Sequence, residues 1–221
     1  MILFFDTETT GLIPGRIIQL SYIMLDENGT RAKNFFFEVD YIEPSAVAVH
    51  HFTVEKLSSL SNGHTFSTDI DEIEKDFSKA DLIVAHNARF DIDFLIAEFN
   101  YQDRRFKYKE SFDTMKKFTP LVKISRANGK GYKYPKLIEL AEFFDIYPYD
   151  INRNNAKLFN CLLLDSHDAR YDTTALYMCF EAGAKVDEET KKLRNKYVSR
   201  CIDDDENGEA GNELKTATAA E

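Results

Sequence analysis

Short runs of apolar residues, each bounded by turn-forming residues, predict four β-strands in the first 90 residues. A strand is favoured over a helix because each run is short and has few polar interruptions. The first and last runs are typical of strands buried on both faces of a sheet. Asn28-Gly29, between the second and third runs, predicts a β-hairpin. The runs are MILFFD (1–6), RIIQLSYIML (16–25), KNFFFEVD (33–40) and DLIVAH (81–86).

Five further segments carry apolar residues at helical spacing and predict amphipathic helices. Thr53 is the expected N-cap of the first, and Ser67 or Thr68 that of the second. A proline near the start of the fourth suits the first turn of a helix. Strands that precede and alternate with helices predict an α/β fold with a mixed central sheet flanked by helices. The segments are TVEKLSSL (53–60), DIDEIEKDFSKA (69–80), FDIDFLIAEFN (90–100), YPKLIELAEFFDI (134–146) and ARYDTTALYMCFEAGA (169–184).

Length and composition fit one domain with a full core. The chain has 221 residues, of which 43% are hydrophobic, and it contains no internal repeat. We expect the folded domain to span residues 1–184. Residues 185–202 predict a charged C-terminal helix at the surface. Residues 203–221 have almost no large apolar side chain, so we expect an acidic, disordered tail.

The net charge of −10 argues against a nucleic-acid partner until the charges are located along the chain. Residues 101–136 carry eleven Lys or Arg against three acids, interleaved with phenylalanine and tyrosine, whereas residues 203–221 carry seven acids and one lysine. Basic groups neutralise phosphates and aromatic rings stack on bases, so the first segment suits single-stranded nucleic acid. Lys130 and Lys133 are its candidate strand-binding residues; a solvated helix pair with a flexible loop explains the segment equally well.

The spacing of the three cysteines indicates a reducing compartment, and the lengths of the apolar runs argue against a membrane span. Cys161, Cys179 and Cys201 have no paired spacing that would predict a disulfide framework or a zinc site. No apolar stretch approaches the roughly 20 residues of a membrane span, and an acid as early as Asp6 leaves no room for a removable leader. We therefore expect a soluble, cytoplasmic protein.

The first strand ends in two acids, Asp6 and Glu8, whose side chains point to the same face because strand side chains alternate. Ligands of open α/β sheets bind at the carboxyl ends of strands. Two carboxylates on one face are tolerated at a solvated strand end, or when a hard cation such as Mg²⁺ or Mn²⁺ lies between them. The following Thr9-Thr10-Gly11 offers hydroxyls, amides and a close backbone approach to a phosphate or sugar.

Two later segments supply further candidate ligands. Asp91 opens the helix after the fourth strand, where it is explained equally well as an acid favoured by the helix dipole, and Asp93 suits that role too. His167 precedes the last amphipathic helix, and Asp172 lies on an otherwise apolar face of it, where an unpaired carboxylate is costly. Together the sites hold four carboxylates and one histidine, the inventory of a two-metal phosphodiesterase.

The order of these residues resembles the DEDDh superfamily of 3′-5′ exonucleases, in particular proofreading (epsilon) subunits of bacterial DNA polymerase III and their stand-alone relatives. The resemblance rests on Asp6-x-Glu8, on Asp91 in NARFD, and on His167 and Asp172 at the spacing H-x-A-x-x-D. VHHFT (49–53), FDT (112–114) and the helix YPKLIELAEFFDI extend it over residues 1 to about 184. It implies a ribonuclease H-like fold. Because three motifs occur in the family order, the resemblance also argues strongly against an α/β protein whose acids match by coincidence.

The resemblance also implies a role for each site residue. Asp6 would bridge two Mg²⁺ or Mn²⁺ ions, Glu8 and Asp172 would complete the ion that carries the attacking water, and Asp91 would hold the other ion largely through waters. His167 would take the proton from the water as a general base. The terminal nucleotide would lie on Thr9, Thr10, Gly11 and Leu12, with Leu12 and Phe90 packing on bases and with Asn87 and His50 touching the sugar-phosphate.

Two residues depart from the family pattern. His51 stands where the family usually has glycine, so we expect the loop that carries His50 to have a different shape. Asp168 lies beside His167, where the family often has a basic or neutral residue. A neighbouring carboxylate favours the imidazolium, which predicts a raised pKa for His167 and an alkaline activity optimum.

The sequence thus predicts a metal-dependent 3′-5′ exonuclease that acts on DNA, single-stranded or frayed, and releases nucleoside 5′-monophosphates. Two alternatives stay open: an exoribonuclease of the ribonuclease T or oligoribonuclease type, and a non-catalytic nucleic-acid-binding module. Few apolar anchors follow Lys185, and no glutamine follows Gln102, so a Q-x-x-L-x-F clamp motif is absent. This argues against stable association with a polymerase or a sliding clamp. The oligomeric state is not predicted.

Overall fold

Five strands form one mixed sheet in the order β3-β2-β1-β4-β5. The computed structural model describes residues 1–12 and 15–198. Strands β1, β2 and β3 form an antiparallel meander, whereas β4 and β5 run parallel to β1. The carboxyl ends of β1, β4 and β5 therefore meet at one edge. The strands are β1 (Ile2–Thr9), β2 (Ile17–Asp26), β3 (Gly29–Phe36), β4 (Leu82–Ala85) and β5 (Ser111–Asp113).

Helices cover both faces of this sheet and confirm the predicted α/β class. Their bounds are α1 (Pro44–His50), α2 (Val54–Ser61), α3 (Phe66–Lys79), α4 (Ala88–Asn100), α5 (Thr114–Val122), α6 (Leu137–Phe143), α7 (Pro148–Leu158), α8 (Ala169–Val186) and α9 (Glu188–Val198). None of the helices in the described part of the chain is both long and apolar enough to cross a lipid bilayer.

Strand β1 lies at the centre and contributes to a core on each side. Leu3 and Phe5 pack with residues of α3 and α4, whereas Ile2 and Phe4 pack with residues of α6 and α8. All four side chains are fully buried. The alternation confirms that MILFFD is a strand buried on both faces.

Several element boundaries differ from the predicted ones. Strand β3 begins at Gly29, immediately after a two-residue turn, rather than at residue 33. Helix α3 begins one residue after Thr65, whose backbone amide donates to the Thr68 hydroxyl in a capping box, so neither Ser67 nor Thr68 is the N-cap. Pro135 lies just outside α6.

Helix α9 packs on the domain although its sequence is highly charged. Leu193 and Tyr197 join the core beside α8, and Thr190 is fully buried. The amino group of Met1 donates to the Tyr197 carbonyl oxygen at 3.2 Å, which ties the helix to the start of β1. Cys201 and the predicted acidic tail, residues 203–221, lie outside the described residues.

Candidate active site

Asp6 and Glu8 lie on one face of β1, as the strand alternation predicts. Their antiparallel partners on β2 are Ser21 and Gln19. Glu8 is buried, with a relative exposure of 8%. Burial raises the pKa of both carboxyls well above their usual range, and neighbouring carboxylates raise it further. Among those neighbours, Asp91 acts most strongly on Asp6, and Asp172 acts most strongly on Glu8.

Helix α4 places Asp91 against β1. The Asp91 Oδ1 atom accepts hydrogen bonds from the Thr7 amide (3.2 Å) and the Thr7 hydroxyl (2.7 Å). Burial raises the Asp91 pKa to about 7, and the Thr7 bonds counter only part of that rise. Asp93 instead pairs with Arg89 on the exposed side of the helix, at 2.6 Å. The structure therefore distinguishes two aspartates that helix-dipole arguments leave equivalent.

Helix α8 and the residues before it supply His167 and Asp172. The backbone amide of His167, which has a left-handed φ of 67°, donates to Asp172 Oδ2 at 2.9 Å. Burial raises the Asp172 pKa to about 7. Ligand atoms of Glu8, His167 and Asp172 lie within 4.8 Å of one another, so residues from two distant stretches form one compact cluster.

This cluster fits a bound divalent cation. Its donors are carboxylate oxygens and one imidazole, a set that suits Mg²⁺ or Mn²⁺. The charges of Asp91 and Asp172 raise the pKa of both Asp6 and Glu8, and the charge of Glu8 raises that of Asp6 further. Such repulsion costs folding free energy unless the carboxylates are protonated or a cation lies among them.

The predicted effect of Asp168 on His167 is wrong. The pKa of His167 is lowered, first by partial desolvation of the ring and then by the positive charges of His51 and Lys136. Arg170 Nε and Nη2 donate to the two Asp168 oxygens at 2.8 and 2.7 Å, and Asp168 is not among the groups that shift the His167 pKa. The Asp168 side chain also accepts from the Arg170 amide as the N-cap of α8. Its charge still raises the pKa of Asp172, Asp6 and Glu8.

Two cavities flank the carboxylates. The first, of about 380 Å³, is mostly apolar and borders Glu8. It is lined by Thr7, Glu8, Thr9, Gly11, Leu12, Ser45, Ala46, Val49, His50 and Phe90. The second, of about 560 Å³, borders Asp6, His167 and Asp172. Five of the seven predicted nucleotide-binding residues therefore line the first cavity.

The remaining two lie outside both cavities. The Thr10 hydroxyl accepts from the Arg16 amide at 2.8 Å and closes the loop after β1. Asn87 is exposed as the left-handed N-cap of α4, and its backbone amide donates to Asp113 Oδ1 at 3.2 Å. The contact of Thr10 with the terminal nucleotide and that of Asn87 with the sugar-phosphate stay predictions.

His50 lines the first cavity, but both of its ring nitrogens already have partners. Nε2 lies 3.1 Å from the Thr9 carbonyl oxygen, and Nδ1 accepts from the Phe52 amide at 3.1 Å. His50 therefore braces the strand end that carries Thr9. His51 adopts φ 59° and ψ 20°, the left-handed conformation that glycine tolerates best, so the loop keeps a glycine-like backbone.

The two predicted strand-binding lysines differ in their surroundings. Lys130 is exposed at the tip of a small hairpin closed by the Ser125–Tyr132 bridge. The Lys133 ammonium instead pairs with Glu139 Oε1 at 2.5 Å. Lys133 is thus less available to a phosphate than its place in the basic segment suggests.

Sequence reasoning missed residues that line the cavities without forming a motif. Ser45, Ala46 and Val49 come from α1, which has no strong periodic signal. His86 and Lys136 line the second cavity, and His86 Nε2 lies 3.0 Å from the Pro135 carbonyl oxygen beside Lys136. The cationic segment before α6 contained the signal for Lys136, but it could not single out one lysine among eleven basic residues.

Comparisons with known proteins show the family to which the chain belongs. The model of the RNase T exonuclease family matches residues 3–180. The DNA polymerase III subunit epsilon of Treponema pallidum is 36% identical over 98 residues, which cover 42% of this chain and 44% of that protein. The chain thus spans less than half of that curated relative.

Two solved structures share the fold at low sequence identity. Exonuclease I of E. coli in complex with a dA16 oligonucleotide has a TM-score of 0.67 at 18% identity, over 88% of this chain and 43% of that one. Exonuclease X in complex with 5′ overhanging duplex DNA has a TM-score of 0.54 at 21% identity, over 84% of this chain and 93% of that one. These matches confirm the predicted ribonuclease H-like architecture. With its ordered acids and the family match over most of its length, the chain belongs to the RNase T exonuclease family, within the DEDDh superfamily of 3′-5′ exonucleases.

Proposed function

We propose that this protein is a metal-dependent 3′-5′ exonuclease that removes nucleoside 5′-monophosphates from single-stranded or frayed DNA. One observation carries the proposal: three separate stretches of the chain bring Asp6, Glu8, Asp91, His167 and Asp172 together at the carboxyl end of β1. A group of carboxylates that are buried (Glu8, Asp91) or half-buried (Asp6, Asp172) and lie close together is unfavourable for folding, so its presence supports a function for the group.

The four carboxylates would hold two Mg²⁺ or Mn²⁺ ions. Bound there, the ions would supply an activated water and would stabilise charge on the attacking and leaving oxygens. Asp6 is central, since it faces Asp91, Asp172 and Glu8. The Thr7 hydrogen bonds fix the Asp91 carboxylate in its rotamer.

His167 would accept the proton of the attacking water. Its ring lies at the edge of the cleft, within reach of the same point as the Glu8 and Asp172 carboxylates. Its lowered pKa keeps the imidazole neutral at pH 7, as a general base requires. The hydrogen bond from the His167 amide to Asp172 holds the histidine backbone beside its metal-ligating neighbour.

The apolar cavity beside Glu8 would receive the terminal nucleotide. Leu12, which is 74% exposed, lines this cavity together with Phe90, so both offer apolar surface to a base. The Thr9 hydroxyl donates to the Gly11 carbonyl oxygen at 2.9 Å and stiffens the loop between them. Contacts of this kind tolerate any base sequence.

The cations beyond the carboxylates would guide the preceding nucleotides. Lys136 lines the second cavity with Asp6 and His167, and Lys130 lies exposed on the neighbouring hairpin. Tyr132 and Tyr134, on the same segment, are also exposed and could stack on bases. DNA is preferred to RNA in this proposal because the matched curated relative is a DNA polymerase subunit.

The decisive experiment compares matched 5′-labelled DNA and RNA strands with Mg²⁺ or Mn²⁺. A ladder that shortens one nucleotide at a time from the 3′ end, and that is abolished by chelator and by Asp6→Ala, is expected for DNA. Faster shortening of RNA would instead support the exoribonuclease. Absence of cleavage with every metal would refute the catalytic function and leave a nucleic-acid-binding module.

A further inference from the structure

Gln19, on β2, is a fully buried polar residue directly opposite Glu8. The two residues are antiparallel partners in the β1–β2 register, and Gln19 has 0% relative exposure. A buried amide needs hydrogen-bond partners, because an unpaired donor or acceptor costs about 1–3 kcal/mol. Its partners therefore show what the residue does in the fold.

The Gln19 amide joins two strands to the start of α8. Its Nε2 donates to Asn34 Oδ1 on β3 at 2.8 Å and to Asp168 Oδ1 at 3.0 Å. Its Oε1 accepts from the Ala169 amide at 3.1 Å. Both N–H donors of the Gln19 side chain and one lone pair of its oxygen are therefore used. Two of the three bonds are to Asp168 and Ala169, at the start of the helix.

Those residues sit between two members of the catalytic cluster. His167 immediately precedes Asp168, and Asp172 follows one turn later. Arg170 clamps the Asp168 carboxylate from the other side. The position of this helix start relative to β1 therefore sets how far His167 and Asp172 lie from Glu8.

We propose that Gln19 is a positioning residue of the active site: by holding the start of α8 against β2 opposite Glu8, it fixes the separation of Glu8 from His167 and Asp172. This inference rests on the proposed metal-dependent function. Gln19 touches no substrate, and it acts through the helix it anchors. Losing its bonds loosens the cluster and weakens cation binding.

A merely structural Gln19 would lower stability without affecting the metal. The thermal midpoint of the full chain, measured with increasing Mn²⁺ and without nucleic acid, separates the two cases. A ligand of the folded state raises that midpoint by an amount that grows with the logarithm of its concentration relative to its Kd. Gln19→Met keeps the side-chain volume and removes all three hydrogen bonds.

Thr173→Val is the matched control. The Thr173 hydroxyl donates to the Ser21 carbonyl oxygen at 3.2 Å, so it is another buried hydrogen bond between α8 and β2, but it does not involve the helix start. We expect both variants to lower the midpoint in chelator. Thr173→Val should keep the wild-type increment with Mn²⁺, whereas Gln19→Met should need about tenfold more Mn²⁺ to reach it.

Equal Mn²⁺ increments in wild type and Gln19→Met would overturn the positioning role while leaving the exonuclease proposal intact. No increment in the wild type would overturn both. If Gln19→Met fails to fold, Gln19→Asn takes its place, since its shorter amide cannot reach Asn34 and Ala169 together and should show the same weakened response. For either variant we also expect a lower kcat with little change in KM, because the strand-binding surfaces are untouched.

Discussion

At the scale of single residues, Asp91 and Asp93 show how orientation separates a functional side chain from a similar neighbour. Both lie early in α4, but Asp91 is buried against Thr7 and Asp93 pairs with Arg89 at the surface. Of the two, Asp91 raises the pKa of Asp6, whereas Asp93 is not among the groups that shift it. Replacing each of the two aspartates by asparagine therefore gives a test variant, Asp91→Asn, and a matched control, Asp93→Asn.

We expect Asp91→Asn to lower kcat by roughly 10³-fold or more, as losses from groups that act as a unit usually do. Its stability in chelator should not fall, because one of several repelling carboxylates is removed. Asp93→Asn should keep activity within about twofold, since exposed ion pairs contribute little. Single-turnover cleavage and thermal melting measure both effects; equal losses in the two variants would contradict the assignment of Asp91.

His51 is a second residue whose conformation leads to a prediction. Its φ of 59° costs roughly 1 kcal/mol for a side chain with a Cβ, and glycine avoids that cost. His51→Gly should therefore raise the free energy of unfolding, measured by urea denaturation, by about 0.5–1 kcal/mol. It should also remove one positive charge that lowers the pKa of His167. A destabilised His51→Gly protein would show that the imidazole makes a stabilising contact.

At the scale of elements, the segment that leads into α6 presents its lysines differently. The Lys136 side chain lines the second cavity, whereas Lys133 is paired with Glu139. Each phosphate contact made by a lysine increases the salt dependence of single-strand binding by about 0.7 in the logarithmic slope. The two lysines should therefore contribute unequally.

Lys136→Gln should weaken binding of a single-stranded oligonucleotide and make the slope shallower by about 0.7. Lys133→Gln, the control from the same segment, should change the slope much less. Affinities measured by fluorescence anisotropy from low to moderate salt give both slopes. An unchanged slope in Lys136→Gln would place the strand elsewhere.

At the scale of the whole molecule, the sheet order collects acids at one edge and makes stability depend on pH. Asp91 and Asp172 have a folded-state pKa of about 7, raised by burial from 3.8. Between these values the folded state binds more protons than the unfolded state. The free energy of unfolding therefore falls as pH rises through that window.

We expect the thermal midpoint in chelator to be higher near pH 5 than near pH 8. The fall should be smaller in Asp91→Asn/Asp172→Asn, which lacks both titrating groups, so the difference between the two proteins isolates their contribution. Mn²⁺ at pH 8 should raise the wild-type midpoint more than that of the double variant. Parallel pH profiles of the two proteins would contradict the raised pKa values.

Much of this fold was predictable because its signals are local. Apolar runs identify β1, β2 and β4, and Asn28-Gly29 marks the hairpin, since these depend on neighbours in sequence. Helices α1, α5 and α7 were not predicted. Helix α1 is only seven residues long, α5 contains Pro120, and the polar α7 buries few residues, so contacts with the rest of the fold outweigh their weak patterns.

By itself, the sequence determined the order of the acidic motifs and the shared face of Asp6 and Glu8, because strand alternation is a property of the backbone. The family resemblance singled out Asp91, but only the tertiary structure showed that Asp93 pairs with Arg89 at the surface, that Asp168 pairs with Arg170, and that Gln19 anchors α8. The first and the last depend on how a helix is rotated against the sheet, and the last also depends on partners that are distant in sequence. The second depends on which of several nearby groups pairs with the carboxylate. Packing fixes such choices, and no local pattern encodes them.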